Sequence, residues 1–181
     1  GHEGCETRLW SARTFEQPGA VGAVLSYTSP DGEQGFPGAL TVNMTYRLTA
    51  DNQLRIDYEA TTTAPTALNL TNHSYFNLAG ANSGTVTGQE LQIFGTRYAA
   101  TDAQDVPTGE FVDAEGTPLD FIRPTPIGTN IDRKGPPMTA QGGFNHSWPL
   151  DKPEGALGAT AVMRDGESGR VLQVFTSEPS L

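Results

Sequence analysis

Thr41-Val-Asn-Met-Thr-Tyr-Arg-Leu48 decides the fold. Val42, Met44, Tyr46 and Leu48 alternate with polar residues, and a period of two is the signature of a strand with one apolar side. The turn residues Ala50-Asp51-Asn52 follow, and then Leu54, Ile56 and Tyr58 alternate again. The pair predicts a β-hairpin with one buried face. Outward from it, residues 21–27 repeat the pattern at Val21, Ala23, Leu25 and Tyr27, and Ser29-Pro-Asp-Gly32 reads as a turn. Near the C-terminus, residues 159–164 and 170–176 flank Asp165-Gly-Glu-Ser-Gly169, which predicts a second hairpin around a Gly-rich loop.

The chain has 181 residues, with 21 Gly, 13 Pro and β-branched residues throughout, which leaves little room for helices. Many short strands with turns and no amphipathic helix indicate an all-β sandwich or barrel. No composition shift marks a second domain, so residues 1–181 are expected to form a single one. Two longer stretches, 100–118 and 123–143, are rich in Pro, Gly, Asp and Thr and read as irregular rims. Phe111, Leu119, Phe121 and Ile122 are their expected hydrophobic anchors.

Eleven basic against 21 acidic residues give a net charge of −10, which argues against nucleic acid or an anionic membrane as partner, since phosphate binding needs clustered Lys and Arg. A neutral small molecule suits this balance better. A single cysteine, Cys5, excludes an internal disulfide framework and a Cys-based zinc cluster. There is no apolar run of about 20 residues to span a membrane. The cytoplasm is the favoured compartment, although a chain that does not begin with Met leaves this open.

The chemistry concentrates in Asn69-Leu-Thr-Asn-His-Ser-Tyr-Phe-Asn-Leu-Ala-Gly80. His73 sits among polar neighbours and two aromatic rings, and an imidazole exchanges protons near neutral pH. A hydrogen-bonded structural histidine is the competing reading. His2, His73 and His146 show no short metal-ligand spacing, so no metal is expected. A Gly-x-Ser-x-Gly elbow and a phosphate-binding glycine loop are both absent from the sequence.

The 69–80 segment resembles the signature of the aldose 1-epimerases. Three further segments carry the resemblance in the same order along the chain. Arg97-Tyr-Ala-Ala-Thr-Asp-Ala-Gln-Asp-Val-Pro-Thr-Gly-Glu110, followed by Gly116-Thr-Pro-Leu-Asp-Phe121, is similar to the family's run. Gly143-Phe-Asn-His-Ser-Trp148 is similar to its Gly-Tyr/Phe-Asp-His motif, and Gly4-Cys-Glu-Thr-Arg-Leu-Trp10 fits its Gly-Phe-Asp-Lys-x-x-Trp segment. The resemblance implies a large antiparallel β-sandwich of the galactose mutarotase type, incomplete at both ends. It implies interconversion of the α and β anomers of a free aldohexose such as glucose or galactose, with no cofactor and no metal.

In that chemistry His73 matches the general acid, and Ser74, Tyr75 and Asn145 fall where the sugar is bound. Tyr75, Phe76 and Trp148 are candidates to stack on the C–H face of a sugar, with core packing as the competing reading, favoured for Phe76. Asn145 departs from the family's Asp and replaces a charged acceptor by an amide that both accepts and donates. His146 beside it reads as structural. Glu178 is acidic and near the end, but it matches a variable position before Pro179 and reads as an exposed loop carboxylate. The family's base Glu is expected beyond Leu181, and its Leu-His-Gly-Gly histidine before Gly1; His2 is out of register for it. A non-catalytic sugar-binding relative is the alternative, with Asn145 in its favour. A sugar-phosphate epimerase is disfavoured because no Arg cluster is evident.

Overall fold

A computed structural model describes residues 4–133, 138 and 143–181. Strand makes up 41% and helix 6%, which settles the class as all-β, and its sheets are antiparallel, as the alternation predicts. The chain divides into two compact units, Gly1–His73 and Ser74–Leu181.

The first unit carries β1 (Ser11–Gln17), β2 (Ala20–Ser29), β3 (Leu40–Thr49) and β4 (Leu54–Thr62) in one sheet of order β1-β2-β3-β4. The predicted central hairpin is present. Val42 lies opposite Ala60, Met44 opposite Tyr58, Tyr46 opposite Ile56 and Leu48 opposite Leu54. These pairs put the apolar residues of both strands on one side. Asn52 turns the chain with φ 59°, a left-handed conformation that Asn tolerates.

Burial of that side is graded, which corrects the expectation of a uniformly buried face. Val42 is buried, whereas Leu48 is 53% exposed, and Val21 and Leu54 are also exposed. The exposed residues lie at the turn end of the strands, where side chains have neighbours on fewer sides. β1 carries no alternating signal because its residues are mostly polar and exposed. It pairs with β2 from Ser11 opposite Ser26 to Gln17 opposite Ala20. Phe15 lies over Gly22 and has the Arg47 guanidinium 5.9 Å from its ring centroid. A β-carbon at Gly22 would collide with that ring and with the Tyr46 carbonyl, so the pairing uses a residue with none.

The second unit holds β5 (Glu90–Ile93), β6 (Arg97–Thr101), β7 (Pro107–Asp113), β8 (Thr125–Pro126), the short helix α1 (Ile127–Ile131), β9 (Gly158–Arg164) and β10 (Val171–Thr176). One sheet has the order β10-β9-β5-β8 and another pairs β6 with β7. The predicted C-terminal hairpin is β9–β10, in register from Val171 opposite Arg164 to Thr176 opposite Gly158, with a shift between Val174 and Phe175.

The expectation that the stretch 100–118 is irregular is corrected: β6 and β7 form a hairpin across most of it. Its turn is organised by Asp102, whose Oδ1 accepts from the backbone N–H of Gln104 at 2.8 Å and of Val106 at 3.0 Å. Phe111 is not the anchor expected of it. It is 54% exposed, and the Arg97 guanidinium lies 5.5 Å from its ring. Part of 123–143 lies outside the described residues.

Leu119 and Phe121 do anchor the unit. They join Ile93, Tyr98, Ala114, Trp148 and Ala161 in one buried cluster. Phe121 meets Phe144 edge to face at 5.1 Å and Trp148 at 6.5 Å. The Ile93 N–H donates to the Phe121 carbonyl at 2.8 Å, which ties the loop after β7 to the sheet.

Candidate active site around His73

Residues 71–77 have no regular secondary structure, and residues 71–76 are exposed. His73, Ser74 and Tyr75 thus fall together on one exposed stretch, His73 closing the first unit and Ser74 opening the second. Tyr75 is 89% exposed. Phe76 is 47% exposed, which corrects the favoured reading of it as a core residue. In the first unit, Asn72 donates through Nδ2 to the Tyr46 hydroxyl at 3.2 Å.

The C-terminal part of the motif is held firmly. Asn77 Oδ1 accepts from the Ala79 N–H at 3.1 Å and from Gln89 Nε2 at 2.8 Å, while Asn77 Nδ2 donates to the Gly84 carbonyl at 3.1 Å. The Leu78 N–H donates to Gln89 Oε1 at 3.3 Å. The Leu78 carbonyl accepts from an Arg170 guanidinium nitrogen at 2.8 Å and has Ser168 Oγ at 3.0 Å. A turn residue with both backbone groups tied to side chains has no backbone polar group left to fray into solvent. No sequence pattern points to Gln89 or Arg170: each is a lone polar residue beside a strand, and its partners are far along the chain.

Arg170 and Ser168 belong to the loop of the β9–β10 hairpin, and Asp165 organises that loop. Its Oδ2 accepts from the Ser168 N–H at 2.8 Å, and the Gly169 N–H donates to its carbonyl at 3.0 Å. The Ser168 hydroxyl, then the Ser168 N–H, and the Arg170 charge hold the Asp165 carboxyl below its ordinary range, against the opposing effect of burial. The Ser168 hydroxyl has one proton to divide between this carboxylate and the Leu78 carbonyl, so Arg170 is the steadier donor to Leu78. A depressed folded-state pKa gives stability that is present above the unfolded carboxyl's pKa, about 3.9, and fades as pH falls through the folded value. Replacing Asp165 by Asn is therefore expected to lower the melting temperature at pH 6–7. The difference from the parent should shrink toward pH 3. Thermal melts across that range check it.

Asn145 is exposed on the segment 143–148, which is pinned on both sides. Phe144 packs on Phe121, and the Ser147 carbonyl accepts from the Ala99 N–H at 2.8 Å. Trp148 and Leu181 exchange backbone hydrogen bonds at 2.9 and 3.0 Å. Trp148 is not available to stack on a sugar, because it is 6% exposed and its indole N–H donates to the Leu119 carbonyl at 3.2 Å. His146 lies edge-on to Tyr98 and Trp148, at 6.0 and 6.3 Å, which is the structural placement expected of it. Glu178 is exposed. His2 lies outside the described residues.

Two open depressions of about 530 and 600 Å³ lie on the sheet of the first unit, the first lined by Arg13, Asn43 and Glu59 among others, the second by Val21, Tyr46 and Leu54. Neither includes a residue of the His73 motif, and both follow from the shallow relief of an exposed sheet. Among the described residues no group of three His, Cys, Asp or Glu is placed to hold a metal ion, and no helix is long and apolar enough to cross a membrane.

The family model for aldose 1-epimerase matches residues 1–181. The chain belongs to the aldose 1-epimerase family. Among its relatives, a galactose mutarotase from Sus scrofa is 35% identical over 181 residues, covering 100% of this chain and 50% of its own length. An aldose 1-epimerase from Haemophilus influenzae is 33% identical over 183 residues, with 100% and 52% covered. This epimerase-family chain thus spans about half the length of those relatives. Among solved structures, a GalM/aldose epimerase homologue from C. elegans superposes with a TM-score of 0.78 at 25% identity, over 96% of this chain and 50% of that one. A galactose 1-epimerase from Lactobacillus acidophilus superposes at 0.79 with 24% identity, over 88% and 46%, and shows the shared fold.

Proposed function

We propose that the full-length protein carrying this sequence is an aldose 1-epimerase that interconverts the α and β anomers of a free aldohexose, glucose or galactose. The observation that carries this reading is the exposed His73-Ser74-Tyr75 stretch, followed directly by a turn whose backbone is tied down at Leu78, in a chain of this family.

The reaction is proton transfer at a hemiacetal. His73 as imidazolium gives a proton to the ring oxygen while a base takes the proton of the C1 hydroxyl. The bond between C1 and the ring oxygen breaks, leaving an open-chain aldehyde. Rotation about C1–C2 and reclosure on the other carbonyl face return both protons and give the other anomer. The base is a carboxylate expected outside these 181 residues. Each positioned acid or base contributes about 10²–10⁴-fold. Tyr75 offers a hydroxyl to sugar oxygens and a ring to the C–H face. Ser74 and Asn145 offer neutral hydrogen bonds, and Asn145 can both donate and accept.

Polarimetry on freshly dissolved α-D-galactose tests this reading. Rotation is expected to reach its equilibrium value far faster with the full-length protein than in buffer. Unchanged rotation kinetics together with measurable galactose binding would instead favour a non-catalytic sugar binder, the reading that Asn145 in place of Asp supports.

A further inference from the structure

Gln89 is 2% exposed, and its amide is bonded at both its oxygen and its nitrogen. Its Oε1 accepts from the Leu78 N–H and its Nε2 donates to Asn77 Oδ1. The Gln89 backbone is itself fixed, since its carbonyl accepts from the Ile127 N–H at 3.0 Å where α1 begins, and its own N–H donates to the Val86 carbonyl at 3.0 Å. From the other side, Arg170 donates to the Leu78 carbonyl from the end of the β9–β10 loop. Two residues, each immediately preceding a strand, thus grip one residue of a turn, three positions after Tyr75. Neither Gln89 nor Arg170 touches the exposed His73-Ser74-Tyr75 stretch in any of these bonds.

We infer that Gln89 and Arg170 are positioning residues, which clamp Asn77 and Leu78 so that Ser74 and Tyr75 meet the sugar in a fixed place. The inference rests on the proposed epimerase reading. A buried amide held at both ends is a costly device for a surface loop unless the loop must be still, because a buried amide that loses its partner is penalised. Stillness matters here because a displacement of about 1 Å in a reacting group costs on the order of 10²-fold in rate. The orientation of the Asn77 amide is set by three bonds at once. It cannot turn over to suit a changed partner at position 89 without losing Ala79 and Gly84.

The test uses the full-length protein, with anomer interconversion of galactose measured as kcat and KM and expressed per folded molecule. Gln89→Glu, assayed at a pH where the introduced carboxyl is ionised, keeps the acceptor for Leu78 but removes the donor to Asn77 Oδ1 and turns a charged oxygen toward it. It is expected to lower kcat/KM by on the order of 10- to 100-fold in protein that circular dichroism shows to be folded. Arg170 is exposed, so its substitution spares the core. Arg170→Met is expected to lower kcat/KM several-fold, and Arg170→Lys, which restores one donor to Leu78, is expected to recover most of it. An active parent with Gln89→Glu and Arg170→Met both at parental kcat/KM overturns the clamp and leaves the epimerase reading standing. So does a loss that follows the folded fraction alone, or one that Lys does not recover. An inactive parent overturns the epimerase reading, and the clamp with it.

Discussion

Phe121→Ala is expected to destabilise the second unit by about 3–5 kcal/mol, the range for truncating a buried aromatic side chain. The size follows from its surroundings. Phe121 is 1% exposed and stands at the centre of the cluster, edge to face with Phe144 and Trp148. Its backbone carbonyl also ties the 116–121 loop to β5 through the Ile93 N–H. Truncation removes the ring but not that hydrogen bond, so the loop keeps one tether while a cavity opens beneath it. Phe144 precedes Asn145, so loosening also reaches the segment that presents Asn145. Urea unfolding followed by Trp fluorescence checks the figure, since Trp148 lies against the ring. A loss under about 1 kcal/mol would mean that the cluster is packed too loosely to hold the segment.

His73→Asn is expected to lower kcat for anomer interconversion by about 10²–10⁴-fold, the contribution of one positioned acid. Asn keeps hydrogen-bonding capacity but has no proton to give to the ring oxygen near neutral pH. Sugar binding should change much less, because the contacts assigned to Ser74, Tyr75 and Asn145 remain. Rate measured by polarimetry and binding measured by calorimetry separate the two effects. A drop in affinity that matches the drop in rate would make His73 a binding residue rather than an acid.

The strands with regular alternation were legible from the chain alone. Val42, Met44, Tyr46 and Leu48 mark β3 because a strand with one apolar side must repeat every two residues. β1 and β7 were not legible, for a shared reason. Both have exposed residues along their length, so no alternation is imposed, and β7 contains Pro107 and Gly109, which read locally as loop. Trp148 shows another limit. A Trp suits a core and a sugar face equally well, and only the Leu119 carbonyl that receives its N–H decides for the core.

The site divides in the same way. His73, Ser74 and Tyr75 are contiguous, and a contiguous pattern survives in sequence. Gln89 and Arg170 act on Leu78 across 11 and 92 residues, and a grip of that kind exists only once the sheets are formed. The graded burial of the first sheet was likewise hidden, since alternation tells which side is apolar and not how much of it is covered.

The most direct test of His73 as the acid is exchange between the α and β anomeric proton signals of galactose, followed by NMR magnetisation transfer at equilibrium with no net reaction. The full-length protein is expected to bring the anomers into exchange far above the buffer rate. The His73→Asn protein, at a concentration that still binds galactose, is expected to leave them near it. Exchange that is equally fast with both proteins would contradict the assignment of the acid to His73.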